Sequence, residues 1–391
     1  MREPGKLFVF GLGYVGLRLG IAAQNAGYDV CGTVRSEEKA AAIAQATGIA
    51  THTFDLDDSY SGLSLGGLAA LAEATHLVVT VPPLADFDRD PLLALHEREV
   101  LDAASTDGQL RWAGYLSTTS VYGNHDGAWV DECSETRAAA GSAGDNRLAA
   151  ERAWLDLEGR SEGRLRSRVF RLAGIYGPGR SALDTVSRAA AKSAMASRDE
   201  SAPDETVTAA AAAAPPNPAA ATPSPPSAAI RSDGQKTEQM EGPVRYVSRI
   251  HVDDICGALL ASMAQSLQPS SPSQKTSAAD DRGGDPRIFN VADDDPAPRE
   301  EVMALAAELL GLPTRAALDA TGAPSGGGGG RARRRAVERK RVANGRLRAD
   351  LLPDGLKWPS YREGLRGILS DANVVEQRTQ TASPSATENE Q

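Results

Sequence analysis

The segment that most constrains this chain lies at its start. A short apolar run, Leu7-Phe8-Val9-Phe10, breaks into Gly11-Leu12-Gly13-Tyr14-Val15-Gly16 and continues through Leu17, Leu19 and Ile21 at helical spacing. A strand, a glycine turn and a helix in that order form the frame of a dinucleotide pyrophosphate site. In that frame Gly11 permits the tight turn, Gly13 lets the backbone approach the phosphates, and Gly16 lets the helix pack closely on the strand. The helix N-terminus offers unpaired N–H groups to the anion.

The second strand reads Tyr28-Asp29-Val30-Cys31-Gly32-Thr33-Val34 and is followed by Arg35-Ser36. A site for NAD carries an acid about 20 residues past the glycines, to hold the ribose 2′-hydroxyl. Thr33, Val34 and Arg35 stand there instead, and Asp29 comes too early. A guanidinium binds phosphate in a forked geometry, so Arg35 and Ser36 point to NADP, with NAD as the alternative. The competing reading is a solvated Arg35 paired with Glu37 or Glu38.

Several stretches of the 391 residues cannot build a core. Residues 189–242 contain an alanine run and then Pro215-Pro216-Asn217-Pro218 and Pro223-Ser224-Pro225-Pro226, too poor in large apolar groups to offset their ordering entropy. Residues 265–285 are rich in Ser, Gln, Pro and Asp. A third stretch, from 314, holds the glycine run 326–330 and then Arg331-Ala332-Arg333-Arg334-Arg335, and the tail after Glu376 is polar. What is left, about 250 to 280 residues, suits one nucleotide-binding domain with a small appended lobe.

A formal net charge of −10 argues against a general affinity for nucleic acid or acidic membranes. The basic run from Arg331 to Arg341 is read as a solvated loop. Cys31, Cys133 and Cys256 are far apart and lack metal-ligand spacing, so no metal is expected. No stretch reaches the roughly 18 consecutive apolar residues of a membrane helix. With the first strand beginning by Leu7, the expected location is cytoplasmic, or a plastid if the N-terminus is truncated.

Strand-like runs alternate with helical patterns. Helix 37–46 precedes a short strand at His52-Thr53-Phe54, ending in Asp55. Strand Leu77-Val78-Val79-Thr80-Val81 is stopped by Pro82-Pro83. Helix 90–104 leads into strand 112–117, and helix 145–157 precedes strand Arg168-Val169-Phe170-Arg171-Leu172. This order, with nearly continuous apolar strands, predicts an α/β fold: a Rossmann-type, doubly wound parallel sheet with both faces covered. Ligands bind at the carboxyl ends of such strands.

Four motifs in order then resemble a known group. Tyr115-Leu116-Ser117-Thr118-Thr119-Ser120-Val121-Tyr122-Gly123, Arg171-Leu172-Ala173-Gly174-Ile175-Tyr176-Gly177-Pro178-Gly179, Arg249-Ile250-His251-Val252-Asp253-Asp254 and Phe289-Asn290-Val291-Ala292-Asp293 are similar to segments of the extended short-chain dehydrogenases/reductases, the epimerase/dehydratase superfamily. The resemblance implies a small C-terminal substrate lobe. The expected divisions are a nucleotide-binding domain over 5–188, a low-complexity insert over 189–242, a substrate-lobe segment over 243–264, a second insert over 265–285, the last strand and helix over 286–313, a Gly/Arg-rich insert over 314–335, the C-terminal lobe over 336–372 and a disordered tail over 373–391. Expected cofactor contacts are Gly11, Leu12, Gly13, Tyr14, Val15, Gly16, Arg35, Ser36, Asp55, Leu56, Thr80, Val81, Pro82, Ala173, Gly174 and Ile175.

The group's catalytic Tyr lies four residues before a Lys, with a Glu commonly four further on. Matching Glu151 puts Arg147 at the Lys place and Ala143 at the Tyr place, and no Tyr occurs between Tyr122 and Tyr176. The chain is therefore similar to the atypical extended members. The segment Arg339-Lys340-Arg341-Val342-Ala343-Asn344 with Leu347, and Trp358-Pro359-Ser360-Tyr361-Arg362-Glu363-Gly364-Leu365 near the end, look like that subgroup's last lobe. The dehydratase branch is disfavoured, because Thr119 and Ser120 stand where it places an acidic pair.

Hydride transfer between an alcohol and a nicotinamide needs a group to take or give the hydroxyl proton. Thr118 can hydrogen-bond the substrate oxygen, and Arg147, always charged, can hold ribose or phosphate. Tyr122 is the candidate to replace the missing base. His125 and Glu132 are weaker ones, His251 is read as stabilising the lobe interface, and Arg249 is a candidate for an anionic substrate group. The expectation is an NADP-dependent oxidoreductase or epimerase-like enzyme on a small polar substrate, with no nucleic-acid or membrane partner and a homodimer as its assembly. The alternative is a catalytically degenerate NADP(H)-binding sensor or scaffold.

Overall fold

The computed structural model describes residues 5–56, 62–84, 90–199, 245–266, 284–313 and 339–381. The first apolar run forms β1 (Lys6–Phe10), in which Leu7 to Phe10 are fully buried. Alternate side chains of a strand point to opposite faces. Leu7 and Val9 accordingly enter one core layer, with Val30, Val78, Leu116 and Phe170. Phe8 and Phe10 enter the other, with Leu77, Val79, Ala113 and Tyr115. A strand buried on both faces reads as a continuous apolar run, and a parallel sheet covered by helices needs this pattern.

Around β1 lie β2 (Asp29–Val34), β3 (Ala50–Asp55), β4 (Gly62–Leu63), β5 (His76–Val79), β6 (Trp112–Thr118), β8 (Arg166–Leu172) and β12 (Ile288–Val291), with the two-residue β7 (Trp129–Val130) outside this sheet. The eight-stranded order is β12-β8-β6-β5-β1-β2-β3-β4, parallel except for the final β3–β4 pair. The helices α1 (Tyr14–Asn25), α2 (Glu37–Thr47), α3 (Leu65–Ala72), α4 (Pro91–Ala103) and α5 (Ala143–Arg160) alternate with the strands. The doubly wound α/β sheet expected from the pattern is what forms. Some elements have different limits: β5 stops at Val79, β3 spans 50–55 rather than 52–54, and α5 starts at Ala143 because Ser142 caps it, its hydroxyl accepting from the Asp145 N–H.

A second body is built from β9 (Gly174–Tyr176), α6 (Ala182–Asp199), β10 (Tyr246–Val247), β11 (Arg249–His251), α7 (Val252–Ser266), β13 (Ala297–Pro298), α8 (Arg299–Leu309), β14 (Arg341–Val342), α9 (Gly345–Asp350) and α10 (Tyr361–Thr381). Its small core joins Tyr176, Leu183, Val186, Val302, Met303, Tyr361 and Leu365. Three short pairings tie it together: β9 with β11, β10 with β13, and β7 with β14. Helix α7 does not belong to this core; its Ile255, Leu259 and Met263 sit in the sheet layer that holds Leu7 and Val9. Helix α6 continues past residue 188, and α10 past 372, the limits expected from composition. Helix α7 likewise runs to Ser266, past 264, and residues 284–285 of the second insert are described; the other low-complexity residues, including the glycine run 326–330 and Arg331 to Arg335, lie outside the described residues.

Candidate functional site

The glycine turn is held from both sides. Gly11 has φ +95°, in the left-handed region where glycine alone is unstrained. Its N–H donates to Thr33 Oγ1 at 3.0 Å, and the Leu12 N–H donates to the Thr33 carbonyl at 2.7 Å. A Cβ at Gly16 would overlap the Gly11 carbonyl, so α1 packs against the turn only with glycine there. Gly13 differs: a Cβ at that position would meet nothing within 4 Å. Gly13 is also the N-cap of α1, with no side-chain cap and no acid in the first turn. The first-turn N–H groups therefore face an open space at a positive helix end, which suits a pyrophosphate. The residues present fit a dinucleotide.

From that space a cavity of about 410 Å³ runs across the carboxyl ends of the strands. Gly13, Tyr14, Val15 and Thr80 form one end, Ser117 and Thr118 of β6 and Arg147 of α5 the middle, and Ala173, Gly174, Ile175 and Arg180 the far side. A second cavity, of about 230 Å³, shares Thr118, Leu172, Ala173 and Gly174 and adds Arg245, Tyr246, Ser248 and Lys340. A third, of about 890 Å³, shares Tyr14, Gly174, Ile175 and Arg180 with the first. Its described lining carries five arginines, Arg180, Arg188, Arg245, Arg249 and Arg299, against one acid, Glu300. Excess positive charge around a concave wall concentrates field and favours anions.

The structure brings Gly13, Tyr14, Val15, Thr80, Thr118, Arg147, Ala173, Gly174 and Ile175 around the first cavity, and Arg249 to the third. Arg35, Ser36, Asp55, Leu56, Val81 and Pro82 are not among the lining residues but stand at or just beyond the carboxyl ends of β2, β3 and β5. Arg35 is exposed and has no ion pair with Glu37 or Glu38. Ser36 caps α2, its hydroxyl accepting from the Lys39 N–H at 3.4 Å. Tyr14 donates its hydroxyl to the Pro178 carbonyl at 3.2 Å and has the guanidiniums of Arg18 and Arg180 over its ring at 5.2 and 5.4 Å. Burial raises its pKa.

Tyr122 is placed away from these cavities. It is fully buried, donates to Asn290 Oδ1 at 2.7 Å and accepts from Arg171 Nη1 at 3.0 Å. Burial pushes its phenol up to about 12. It belongs instead to a buried ion-pair network. Arg171 grips Glu151 through Nε and Nη2, the latter at 2.7 Å, and Ser117 donates to Glu151 Oε1 at 2.5 Å. The phenol is thus enclosed between β8 and β12 and lines none of the three cavities. His125 is hydrogen-bonded to the Glu135 carbonyl, and Glu132 accepts from the Asn290 N–H at 2.7 Å. Buried His251, pushed down to about 4 by desolvation, packs edge-on to Tyr176.

Arg147 lines the first cavity and donates to the Leu116 carbonyl, with its guanidinium 5.8 Å over the Tyr115 ring. Ala143, its neighbour one turn earlier, is exposed and carries no titratable group. Tyr246, Lys340, Arg180 and Arg245 line the cavities without having been singled out for them. Tyr246 and Arg245 follow directly on a low-complexity stretch, so no local pattern marks them. Among the described residues no group of three His, Cys, Asp or Glu is arranged to hold a metal ion, and no helix is long and apolar enough to cross a membrane.

The chain is similar over its length to a functionally unknown conserved protein from Silicibacter pomeroyi, with 31% identity, 94% of this chain and 99% of the other covered, and a TM-score of 0.60. A putative epimerase from Burkholderia cenocepacia is similar at 16% identity, 95% and 100% coverage and a TM-score of 0.57. A dTDP-glucose 4,6-dehydratase from Bacillus anthracis, solved in complex with NAD, is similar at 12% identity, 95% and 98% coverage and a TM-score of 0.56. The last two likenesses show a shared fold. No family model matches the chain, and no curated protein matches it.

Proposed function

We propose, for a chain that belongs to the same family as the conserved protein from Silicibacter pomeroyi and shares the fold of epimerase/dehydratase-type enzymes, that it is an NADP(H)-dependent oxidoreductase or epimerase-like enzyme acting on a small polar substrate that carries negative charge. The observation that carries this reading is the continuity of the lining. Residues of the glycine turn, Thr118 and the arginine-rich wall border cavities that share Tyr14, Gly174, Ile175 and Arg180.

A bound nicotinamide supplies or takes a hydride. The chain's own residues do the rest. The α1 N-terminus and Gly13 hold the pyrophosphate, Arg35 and Ser36 take the 2′-phosphate, Thr118 hydrogen-bonds the substrate oxygen, and Arg249 with its neighbours holds the substrate's anionic group. Arg249 is suited to that place because Nη1 is already anchored, donating to the Val247 and Ala297 carbonyls at 2.7 and 3.0 Å, which limits the ordering cost of meeting a ligand.

The absence of a titratable side chain at Ala143 favours a second reading, an NADP(H)-binding sensor. Calorimetry with NADPH, followed by turnover with carbonyl compounds bearing carboxylate or phosphate groups, separates the two. An enzyme oxidises NADPH with one of these compounds and loses rate in Thr118→Ala while keeping its NADPH affinity. Binding of NADPH without turnover across the panel sinks the enzyme reading, and no binding of NADPH or NADH sinks both.

A further inference from the structure

We infer that Tyr246, arriving on β10 from the substrate lobe, is the proton donor and acceptor of this site, with Lys340 supplying the positive charge beside it. The inference rests on the oxidoreductase reading above. Two of the three cavities are lined by Thr118. The arginines among their lining residues remain charged at any working pH and cannot shuttle a proton. The Ser and Thr hydroxyls are too weakly acidic to serve alone, and Ser117 is already committed to Glu151. Tyr14 is committed to the Pro178 carbonyl. Tyr246 is the hydroxyl that is left, and it borders the smaller cavity together with Lys340, Thr118, Ala173 and Gly174.

Tyr246 is set up for such a task. Its backbone is fixed by antiparallel pairing with Pro298, and the Arg341 guanidinium lies over its ring at 5.3 Å. It is half-buried, and its hydroxyl has no hydrogen-bond partner among the described residues. Lys340 Nζ donates to the Gly123 carbonyl at 3.1 Å, which holds its ammonium at the cavity rim. In the reducing direction, the Tyr246 hydroxyl gives its proton to the carbonyl oxygen as the hydride reaches the carbonyl carbon. The C=O π bond is replaced by a C–H and an O–H bond, and the phenolate regains a proton from water. The oxidising direction runs the same transfers in reverse.

The test compares the wild-type chain with Tyr246→Phe, Lys340→Met and Lys340→Arg, using NADPH and a 2-oxo acid as probes. Tyr246→Phe is expected to keep its NADPH affinity and lose 10²-fold or more in kcat, an order-of-magnitude figure for general acid catalysis of about 10² to 10⁴. Its pH–rate profile should lose the limb that the phenol contributes. Lys340→Met should fall about tenfold, while the charge-keeping Lys340→Arg stays near wild type. In protein labelled with 3-fluorotyrosine, the resonance missing from Tyr246→Phe should move when NADP+ is added. Wild-type turnover that Tyr246→Phe matches overturns this inference alone, as does a Tyr246 resonance that ignores NADP+. A wild type that binds NADPH and reduces nothing overturns the enzyme reading, and the inference with it.

Discussion

The Thr80 hydroxyl donates to the Gly11 carbonyl at 2.7 Å, and the same oxygen stands 2.5 Å from where a Cβ on Gly11 would lie. The end of β5 thus clamps the glycine turn from one side while Thr33 holds it from the other. The three glycines consequently differ in setting. Gly11 and Gly16 are needed by the fold, whereas Gly13 faces open space that a side chain could enter.

Gly16→Ala forces a Cβ onto a backbone carbonyl and should cost about 2 kcal/mol, the scale of an overpacked core. Gly13→Ala has room and ordinary φ, −85°, and should lose no more than about 1 kcal/mol as an N-cap change. It should nonetheless weaken NADPH binding about tenfold or more, because a methyl group occupies the approach to the phosphates. Thermal midpoints and calorimetric titrations of the two variants check the contrast. Equal affinity in Gly13→Ala and wild type would remove the pyrophosphate site from this turn.

Arg35 is exposed beyond β2 and free of Glu37 and Glu38, so its removal should read out on the cofactor alone. Arg35→Ala should lower NADPH affinity by about 10- to 100-fold, the worth of one or two charge-assisted hydrogen bonds, and leave NADH affinity unchanged. Parallel titrations with the two dinucleotides decide it. A common loss for both would show that Arg35 does not read the 2′-position.

Glu151 and Arg171 are both nearly inaccessible and bonded through three contacts. Glu151→Gln leaves a buried guanidinium without its counter-charge and should destabilise by about 3 to 5 kcal/mol. The double variant Glu151→Leu with Arg171→Met removes both charges and should recover most of that loss. Denaturant midpoints measure this. Glu151→Gln as stable as wild type would mean that the pair is dispensable.

Asp293 is buried, with Oδ2 lacking a hydrogen-bond partner among the described residues, and desolvation pushes its carboxyl up to about 8. The folded state therefore holds a proton that the unfolded chain releases near pH 4. Stability from this group is fully present below the unfolded value and is lost as pH rises through 8. Asp293→Asn should remove that loss, so the stability difference between variant and wild type grows in the variant's favour from pH 4 to pH 8. The expected gain at pH 8 exceeds about 1.4 kcal/mol, the equivalent of a single pKa unit. Unfolding curves at both pH values test it, and a difference independent of pH would place the carboxylate in a solvated setting.

Much of the sheet is legible in short stretches. Leu7 to Phe10 are all apolar because both faces of β1 are covered, and Pro82 and Pro83 announce the end of β5. The limits were less so. The pattern points to a helix from 145, whereas Ser142 caps α5 so that it starts at 143, and α6 and α10 run beyond the positions where composition turns polar. Tyr122 shows the larger gap. Four residues from Thr118, it has the spacing of an active-site neighbour, yet the short 3₁₀ turn 119–122 swings it under β12, where Asn290 and Arg171 enclose it.

Glycine spacing, apolar alternation and the order of strand and helix are properties of neighbours along the chain, and they alone determined the α/β class, the parallel sheet and the place of the glycine turn. Which side chains face Thr118 was decided elsewhere. Tyr246 and Lys340 reach its cavity through the β10–β13 and β7–β14 pairings, and the arginine wall assembles from α6, α8 and β11. Those contacts arise only when the lobe closes its own small core against the sheet, because burial energy acts between surfaces and leaves no periodic mark in the sequence.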